Sequence, residues 1–252
     1  MTLSGCGGGG GAGGGTNSGG GGATSASPGG IWNGTDPTTG KEIIGLITES
    51  GRAQFLVLDE YPPTQYWGSV STSGNQITGN SLQVANELTY FGTATLSGTI
   101  SERQRIAATV NFTPATGCAP TVCPPAQSVQ INLVFNPVYN QSGSLSRLVG
   151  NWSDVYTGQV YSVNSNGEVF LQDSETGCVV NGRISEIDTR YNAYDVRYDF
   201  SNCRIPYESL NGTRATGLLT MDATQSPNLA VFAAQYRVGS ITYTVFGAVE
   251  KT

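Results

Sequence analysis

Apolar and polar residues alternate one by one along most of this chain after residue 30. In SVQINLVF, at 128–135, every second residue is apolar, so a strand there would have one apolar and one polar face. The stretches 105–112, 229–238 and 240–249 show the same period. No stretch carries the apolar stripe, spaced three to four residues, that marks an amphipathic helix. The alternation therefore predicts an all-β fold.

Turn residues divide the alternating part into about eight strands in 30–136 and about eight more in 149–250. The predicted strands begin near Gly30, Ile43, Ala53, Gln65, Gln76, Phe91, Gln104 and Gln127 in the first half, and near Val149, Gln159, Glu168, Gly177, Ala193, Gly212, Asn228 and Ser240 in the second. GIWNG at 30–34 is echoed by GNWSD at 150–154, and ESGRAQFLVLD at 49–59 by SNGEVFLQD at 165–173. Equal strand numbers and these echoes predict an internal repeat.

Consecutive antiparallel strands with short turns close readily into an up-and-down barrel, which leaves no exposed strand edge. We therefore predict two tandem antiparallel up-and-down β-barrels of about eight strands each, at 30–136 and 149–252, with a junction at 137–148. Gly30-Ile31-Trp32 and Gly150-Asn151-Trp152 resemble the Gly-x-Trp motif that opens the first strand of calycin-type barrels, the lipocalins and avidins. The resemblance implies that Trp32 and Trp152 plug one end of each barrel.

The first 30 residues are half glycine and otherwise mostly Ser, Thr, Ala and Asn. Such a segment buries too little apolar surface to fold, so we predict a disordered tether over 1–29. Within it, Leu3-Ser4-Gly5-Cys6 resembles the lipobox of bacterial lipoproteins. The resemblance implies that Cys6 carries a lipid and that Gly7 after it directs the protein to the outer membrane, on the periplasmic or the surface side. Only Met1 and Thr2 precede the motif, so we expect that the chain begins part-way through a longer precursor.

The remaining cysteines are Cys118, Cys123, Cys178 and Cys203, an even number in a chain that we expect to be exported, which favours disulfides. We predict Cys118–Cys123, closing the loop CAPTVC, and Cys178–Cys203, flanking one hairpin. If Cys178 lay directly opposite Cys203, an apolar strand face would meet a polar one, so either a bulge shifts the register by one residue or the cysteines pair differently, and we expect the bulge. Zinc is the alternative, but the cysteines have no histidine partner and are widely spread.

Histidine is absent, charged residues make up only 12% of the chain, and the net charge is −6. Without histidine the chain lacks the commonest general base and metal ligand, and no spacing identifies a working pair of carboxylates. We predict that the protein is not an enzyme and holds no metal or cofactor. Lys and Arg are scattered singly, which excludes a basic nucleic-acid patch. No apolar run approaches the ~20 residues of a membrane-spanning helix.

Two aromatic stretches are candidate partner-binding sites. TRYNAYDVRYDF at 189–200 interleaves tyrosines with charges, and DEYPPTQYW at 59–67 combines aromatics with prolines. The candidate residues are Tyr191, Tyr194, Arg197 and Tyr198 in the first stretch, and Tyr61, Tyr66 and Trp67 in the second. The alternatives stay open, because tyrosine is also an ordinary strand residue and the second stretch could cap a barrel end.

These features predict a non-catalytic outer-membrane lipoprotein, anchored through Cys6, that binds a protein partner at the cell envelope or surface. Poly-glycine after the lipobox followed by barrels resembles the surface lipoproteins of Gram-negative pathogens that capture host proteins. One alternative is a periplasm-facing accessory subunit of a secretion system or pilus. A lipocalin-like carrier of a small apolar ligand is another, although small barrels are often filled by their own side chains, and alternating Ala and Phe at 230–234 indicates packing.

Overall fold

The computed structural model describes residues 25–37, 39–58, 62–87, 89–117, 123–239 and 241–252 of the chain. These residues form two closed antiparallel β-barrels in tandem, each of eight strands, as the alternation predicts. The predictions for the glycine-rich tether up to residue 24, for Cys6 and for Tyr61 fall outside the described residues.

The sheet of the first barrel contains nine strands, of which eight close the barrel, and the predicted starts of these eight agree with the structure to within one residue. The nine strands are β1 (Gly30–Thr35), β2 (Glu42–Ile47), β3 (Arg52–Leu58), β4 (Thr64–Ser69), β5 (Ser71–Ser73), β6 (Gln76–Ala85), β7 (Tyr90–Ser101), β8 (Arg105–Pro114) and β9 (Gln127–Asn136). Pairing runs β4-β3-β2-β1-β9-β8-β7-β6, and a β4–β6 pairing closes the barrel. The three-residue β5, which the alternation did not predict, pairs with β6 beside this closure.

The second barrel closes in simple chain order. Its strands are β10 (Gly150–Asp154), β11 (Val160–Val163), β12 (Glu168–Gln172), β13 (Val179–Glu186), β14 (Tyr194–Ser201), β15 (Arg214–Asp222), β16 (Leu229–Val238) and β17 (Ile241–Lys251). A 3-10 helix (Pro137–Asn140) and helix α1 (Leu145–Leu148) lie between the barrels, and a second 3-10 helix (Glu208–Leu210) follows β14. The described part of the chain contains no helix with the length and apolar character that crossing a bilayer requires.

Matching turns support the predicted repeat. Gly51 precedes β3 and Gly167 precedes β12, and both have left-handed backbone, with φ of 84° and 76°. A Cβ at Gly51 would lie 2.1 Å from the carbonyl oxygen of Val70, and one at Gly167 would lie 2.3 Å from that of Ile184. Both positions therefore require glycine, for conformation and for space. The echo between 49–59 and 165–173 marks structurally equivalent turns.

Trp32 and Trp152 are buried at equivalent positions in the first strands of the two barrels. The indole Nε1 of Trp32 donates to the carbonyl oxygen of Pro28 at 3.2 Å, and that of Trp152 donates to Leu148 at 2.7 Å. Each buried N–H is thus satisfied by the carbonyl four residues before it. We call the barrel ends where β1 and β10 begin, around these tryptophans, the plugged face, and the opposite ends the loop face.

The predicted disulfide Cys178–Cys203 is confirmed. The strands β13 and β14 pair without interruption, and Val180 lies opposite Phe200, so that apolar side chains meet. Continuing this register would place Cys178 opposite Asn202, and Asn202 has a left-handed φ of 58°. The expected one-residue offset is therefore taken up just beyond the end of β14, rather than inside the ladder.

The two barrels lie side by side and point the same way. At the plugged face, Arg52 at the start of β3 forms an ion pair with Asp195 near the start of β14. Nearer the loop face, Gln65 of β4 donates to the carbonyl oxygen of Val245 of β17 at 3.2 Å. A buried cluster joins the barrels and the junction: Ile31, Leu46, Tyr139, Ala193 and Leu218. Both tryptophans thus lie on one face of the molecule, and the far strand ends lie on the other.

Candidate functional site

A cavity of about 270 Å³ occupies the first barrel. The residues around it come mainly from the strand ends at the loop face, away from Trp32. Its lining is Asp36, Thr39, Lys41, Ile43, Phe55, Val57, Thr64, Tyr66, Leu82, Val84, Phe91, Leu96, Val110, Phe112, Pro124, Gln127, Val129 and Ile131. Most of these side chains are apolar, so the cavity suits an apolar guest.

Alternating positions of the strands build the apolar part of the cavity. Successive side chains of a strand point to opposite faces. Val129 and Ile131 of β9 and Val110 of β8 therefore point inward, and the polar residues between them face outward. Valine and isoleucine are short, β-branched side chains, and the larger Phe55 and Phe112 also line the cavity. The space between these walls is left unfilled.

The second barrel has the same strand plan but only about 20 Å³ of free interior space. Large rings fill its interior. The ring of Phe232 lies edge-on to Tyr161 at 6.0 Å and to Tyr198 at 5.4 Å between centroids. Ala230 and Ala234 on the same strand are buried beside Phe232, so the packing predicted for 230–234 is present in this barrel. The barrels therefore differ in content rather than in architecture.

Polar side chains gather where the cavity meets the loop face. Thr39 and Lys41 before β2, Asp36 after β1, Thr64 at the start of β4 and Gln127 at the start of β9 all line it there. Asp36 and Lys41 also have interaction partners within the protein. The site thus has an apolar interior and a polar rim, which is the arrangement that accepts an amphiphile with its polar end outward.

The structure separates the residues of the predicted 59–67 patch. Tyr66 points into the first barrel and lines the cavity. Trp67, the next residue of β4, is half-buried on the opposite side of the strand. Tyr61 falls outside the described residues. The stretch therefore contributes to the cavity wall through Tyr66.

Burial removes Tyr194 and Tyr198 from the predicted patch at 189–200. The Tyr194 side chain is fully buried, and its hydroxyl accepts from the backbone N–H of Ser144 at 2.9 Å. Tyr198 lies inside the second barrel, and burial raises the pKa of its hydroxyl. Arg197 alone projects outward, where it pairs with Asp199 at 3.4 Å. The four residues do not form one surface patch, because alternation along β14 sends Tyr194 and Tyr198 inward and Arg197 outward, and Tyr191 lies before the strand.

Tyr191 belongs to a cluster between the barrels at the plugged face. Its ring stacks on Tyr139 with 5.0 Å between centroids, and the Arg103 guanidinium lies 4.8 Å above the Tyr191 ring. Glu49 accepts from Arg103 at 3.2 Å and from the Tyr139 hydroxyl at 3.3 Å. Burial, and then the neighbouring Glu49, raises the pKa of Tyr139. These residues hold the junction in place; no sequence signal joined them, because they are far apart in the chain.

Exposed apolar side chains concentrate at the loop face of the second barrel. Among the described residues, the large apolar side chains that are exposed there are Val155, Tyr156, Val160, Ile205, Tyr207 and Ile241. Ile205 is the most exposed of these, at 85%. Asn211 anchors its loop by accepting from the Cys203 N–H at 2.8 Å and donating to the Cys203 carbonyl at 3.0 Å. Sequence reasoning overlooked this set, although Ile205-Pro206-Tyr207 interrupts an otherwise polar loop.

The cysteines and carboxylates of the described residues form no cluster of three or more that could hold a metal ion. Cys123 is buried, but Cys118 falls outside the described residues, so the Cys118–Cys123 bridge stays a prediction. Comparison of the chain with protein-family models, with curated proteins and with solved structures found no match in any of the three.

Proposed function

We propose that this protein is a non-catalytic binding protein whose first barrel takes up the apolar part of a small amphiphile. One observation carries the proposal: two barrels of the same plan differ in free interior space, about 270 Å³ against about 20 Å³. Protein interiors are normally close-packed, so an apolar cavity of this size in a folded barrel is unusual. The filled second barrel shows that packing of this architecture does not itself require the space.

The cavity volume limits the guest. A water-sized group takes about 30 Å³ in a liquid, so 270 Å³ holds about nine groups of the size of water or methylene. Each buried methylene stabilises binding by about 0.8 kcal/mol, which is about fourfold in affinity. The cost of association offsets much of this sum, so we expect micromolar or weaker binding. A saturated chain of eight to ten carbons fits best, with its carboxylate or other polar end at the rim.

Calorimetric titration with hexanoate, octanoate, decanoate and hexadecanoate tests the proposal. We expect affinity to rise about fourfold per methylene through octanoate and then to level off when the cavity is full. Absence of saturable binding by octanoate and decanoate would exclude the proposed function. So would a steady rise to hexadecanoate, because that dependence describes an open apolar surface.

A pair of variants on one strand locates the binding. Val129→Phe places a ring in the cavity, whereas Val134→Phe changes an exposed position on the outer side of β9. We expect the first to weaken decanoate binding about tenfold or more and the second to leave it unchanged. Thermal unfolding of both variants reports whether they fold. Equal affinities in two folded variants would place the ligand elsewhere.

We also propose that the protein acts at the outer membrane through a lipid on Cys6. The lipobox resemblance of Leu3 to Cys6 supports this, and so does the Cys178–Cys203 disulfide, which suits an oxidising compartment outside the cytosol. Metabolic labelling with palmitate, in cells that express the natural protein, tests it. The label should be incorporated into the natural chain and lost in Cys6→Ser; incorporation that survives Cys6→Ser would refute the anchor.

A further inference from the structure

We propose that the loop face docks on a lipid surface, so that the amphiphile enters the first barrel from a membrane. The inference rests on the proposed function of the first barrel, because it names the source of the ligand. It adds a second site, the exposed apolar residues of the second barrel, that the binding cavity does not include.

The two faces of the second barrel differ in their exposed apolar side chains. Among the described residues, the exposed large apolar side chains at the loop face come from separate connections, at 155–160, 202–213 and the start of β17. The plugged face carries the ion pairs Glu49–Arg103 and Asp188–Arg190, and charged residues such as Arg204 and Glu208 also lie at the loop face, so the difference concerns apolar exposure and not the presence of charge. An apolar set concentrated on one face marks an interaction surface rather than scattered exposure.

The shape of the apolar set favours lipid over a folded partner. Ile205 and Tyr207 project from a loop closed at its base by Cys178–Cys203 and by the two hydrogen bonds of Asn211. Separate projecting side chains can each enter the headgroup region, where tyrosine also prefers to lie. A rigid base reduces the loop entropy lost on insertion.

Continuity with the cavity supports the same choice. The cavity rim at Thr64 and Gln127 and the loop of Ile205 lie on the same face, because Gln65 and Val245 hold the two barrels together with their loop ends on one side. A ligand with an apolar chain partitions into membranes, so a carrier that contacts the bilayer at its rim need not release that chain into water.

Charge plays little part in the expected contact. Arg204 next to Ile205 is balanced by Glu208 in the same loop, and the net charge of the chain is −6. We therefore expect binding to zwitterionic vesicles that is driven by apolar insertion and is little affected by salt.

Sedimentation with phosphatidylcholine vesicles tests the inference, using the whole chain with Cys6→Ser so that no acyl anchor contributes. We expect saturable binding that is equal at about 0.1 M and about 1 M NaCl. In this background, Ile205→Ser with Tyr207→Ser should weaken binding about tenfold or more. Val134→Ser, an exposed valine on the wall of the first barrel, should leave it unchanged.

Decanoate binding without vesicles separates the two proposals. Loss of vesicle binding in the Ile205 and Tyr207 variant, with decanoate affinity unchanged, supports the docking face. If the protein without the loop substitutions does not bind vesicles but still binds decanoate, the proposal of docking on a lipid surface is wrong and the proposed function of the cavity is retained. Equal vesicle binding by the loop variant and the Val134 control would also overturn the docking face. If decanoate does not bind, the proposed function fails, and the source of its ligand fails with it.

Discussion

Asn192 joins the junction to the second barrel, and its removal should destabilise the protein strongly. Its side chain is fully buried between the 3-10 helix of the junction and β15. The amide nitrogen donates to the carbonyl oxygens of Met221 and, at 3.3 Å, Val138, while the amide oxygen accepts from the Met221 N–H at 3.2 Å. The side chain thus continues the hydrogen bonding of β15 where β14 has not yet begun.

The structure sets the size of the effect. Asn192→Ala leaves the N–H and the carbonyl of Met221 buried without these partners, and each such group costs about 1–3 kcal/mol. We expect a loss of about 3 kcal/mol in the free energy of unfolding, a large fraction of the roughly 5–15 kcal/mol typical of a folded domain. Asn192→Asp should cost more at neutral pH, because a carboxylate can only accept and would face two carbonyl oxygens.

Urea unfolding followed by tryptophan fluorescence measures these differences, with exposed Asn181→Ala on β13 as the matched control. The control should lie within about 0.5 kcal/mol of the natural chain. The reasoning is refuted if Asn192→Ala is no less stable than this control, or if Asn192→Asp is as stable as the natural chain.

Two further predictions concern the turns and the buried tyrosines. In thermal melts, Gly51→Ala should destabilise the protein several times more than Gly74→Ala does. Both glycines have left-handed backbone. A Cβ at Gly51 would lie 2.1 Å from the Val70 carbonyl oxygen, whereas a Cβ at Gly74 would have no atom within 4 Å. Similar melting temperatures for the two variants would contradict the close contact. Burial, and then Glu87 and Tyr243, raises the pKa of Tyr236 to about 12. Tyrosines of the unfolded chain have a pKa near 10, so the folded state holds the Tyr236 proton more tightly than the unfolded state does. Stability should therefore be constant below about pH 10 and fall from pH 10 to 12, and Tyr236→Phe should reduce that fall in alkaline urea titrations; an equal fall in Tyr236→Phe would assign the effect to other groups.

Strand positions were predictable because their signal is local. Each strand of a barrel has one face in the core and one outside, and the resulting period of two is present in the strand's own residues. The starts of β1, β6 and β9 were found to the residue, whereas β5 and the short junction helices are too brief to show a period. The same period is present in β14, where Tyr194, Val196 and Tyr198 alternate with charged residues, and it would have placed these tyrosines inside the barrel rather than in the predicted partner-binding patch.

The candidate site could be predicted less well, because a cavity depends on which side chains meet across a barrel. Val110 and Val129 follow the same inward pattern as Ala230 and Phe232, yet the first pair lines an open space and the second lies in a filled core. Alternation predicts that a side chain points into the barrel, but it does not predict which side chains of other strands it contacts there. The gathering of exposed apolar loops on one face likewise depends on the order of strands around the barrel.

By itself, the sequence determined the all-β class, the twofold repeat, the Cys178–Cys203 pairing and most strand boundaries, because each follows from spacing along the chain. Only the tertiary structure decided that one barrel is hollow and the other filled, that Tyr191 stacks between the barrels, and that the open rim shares a face with Ile205. Those features arise from contacts between residues far apart in the chain, whose distances the local pattern does not contain.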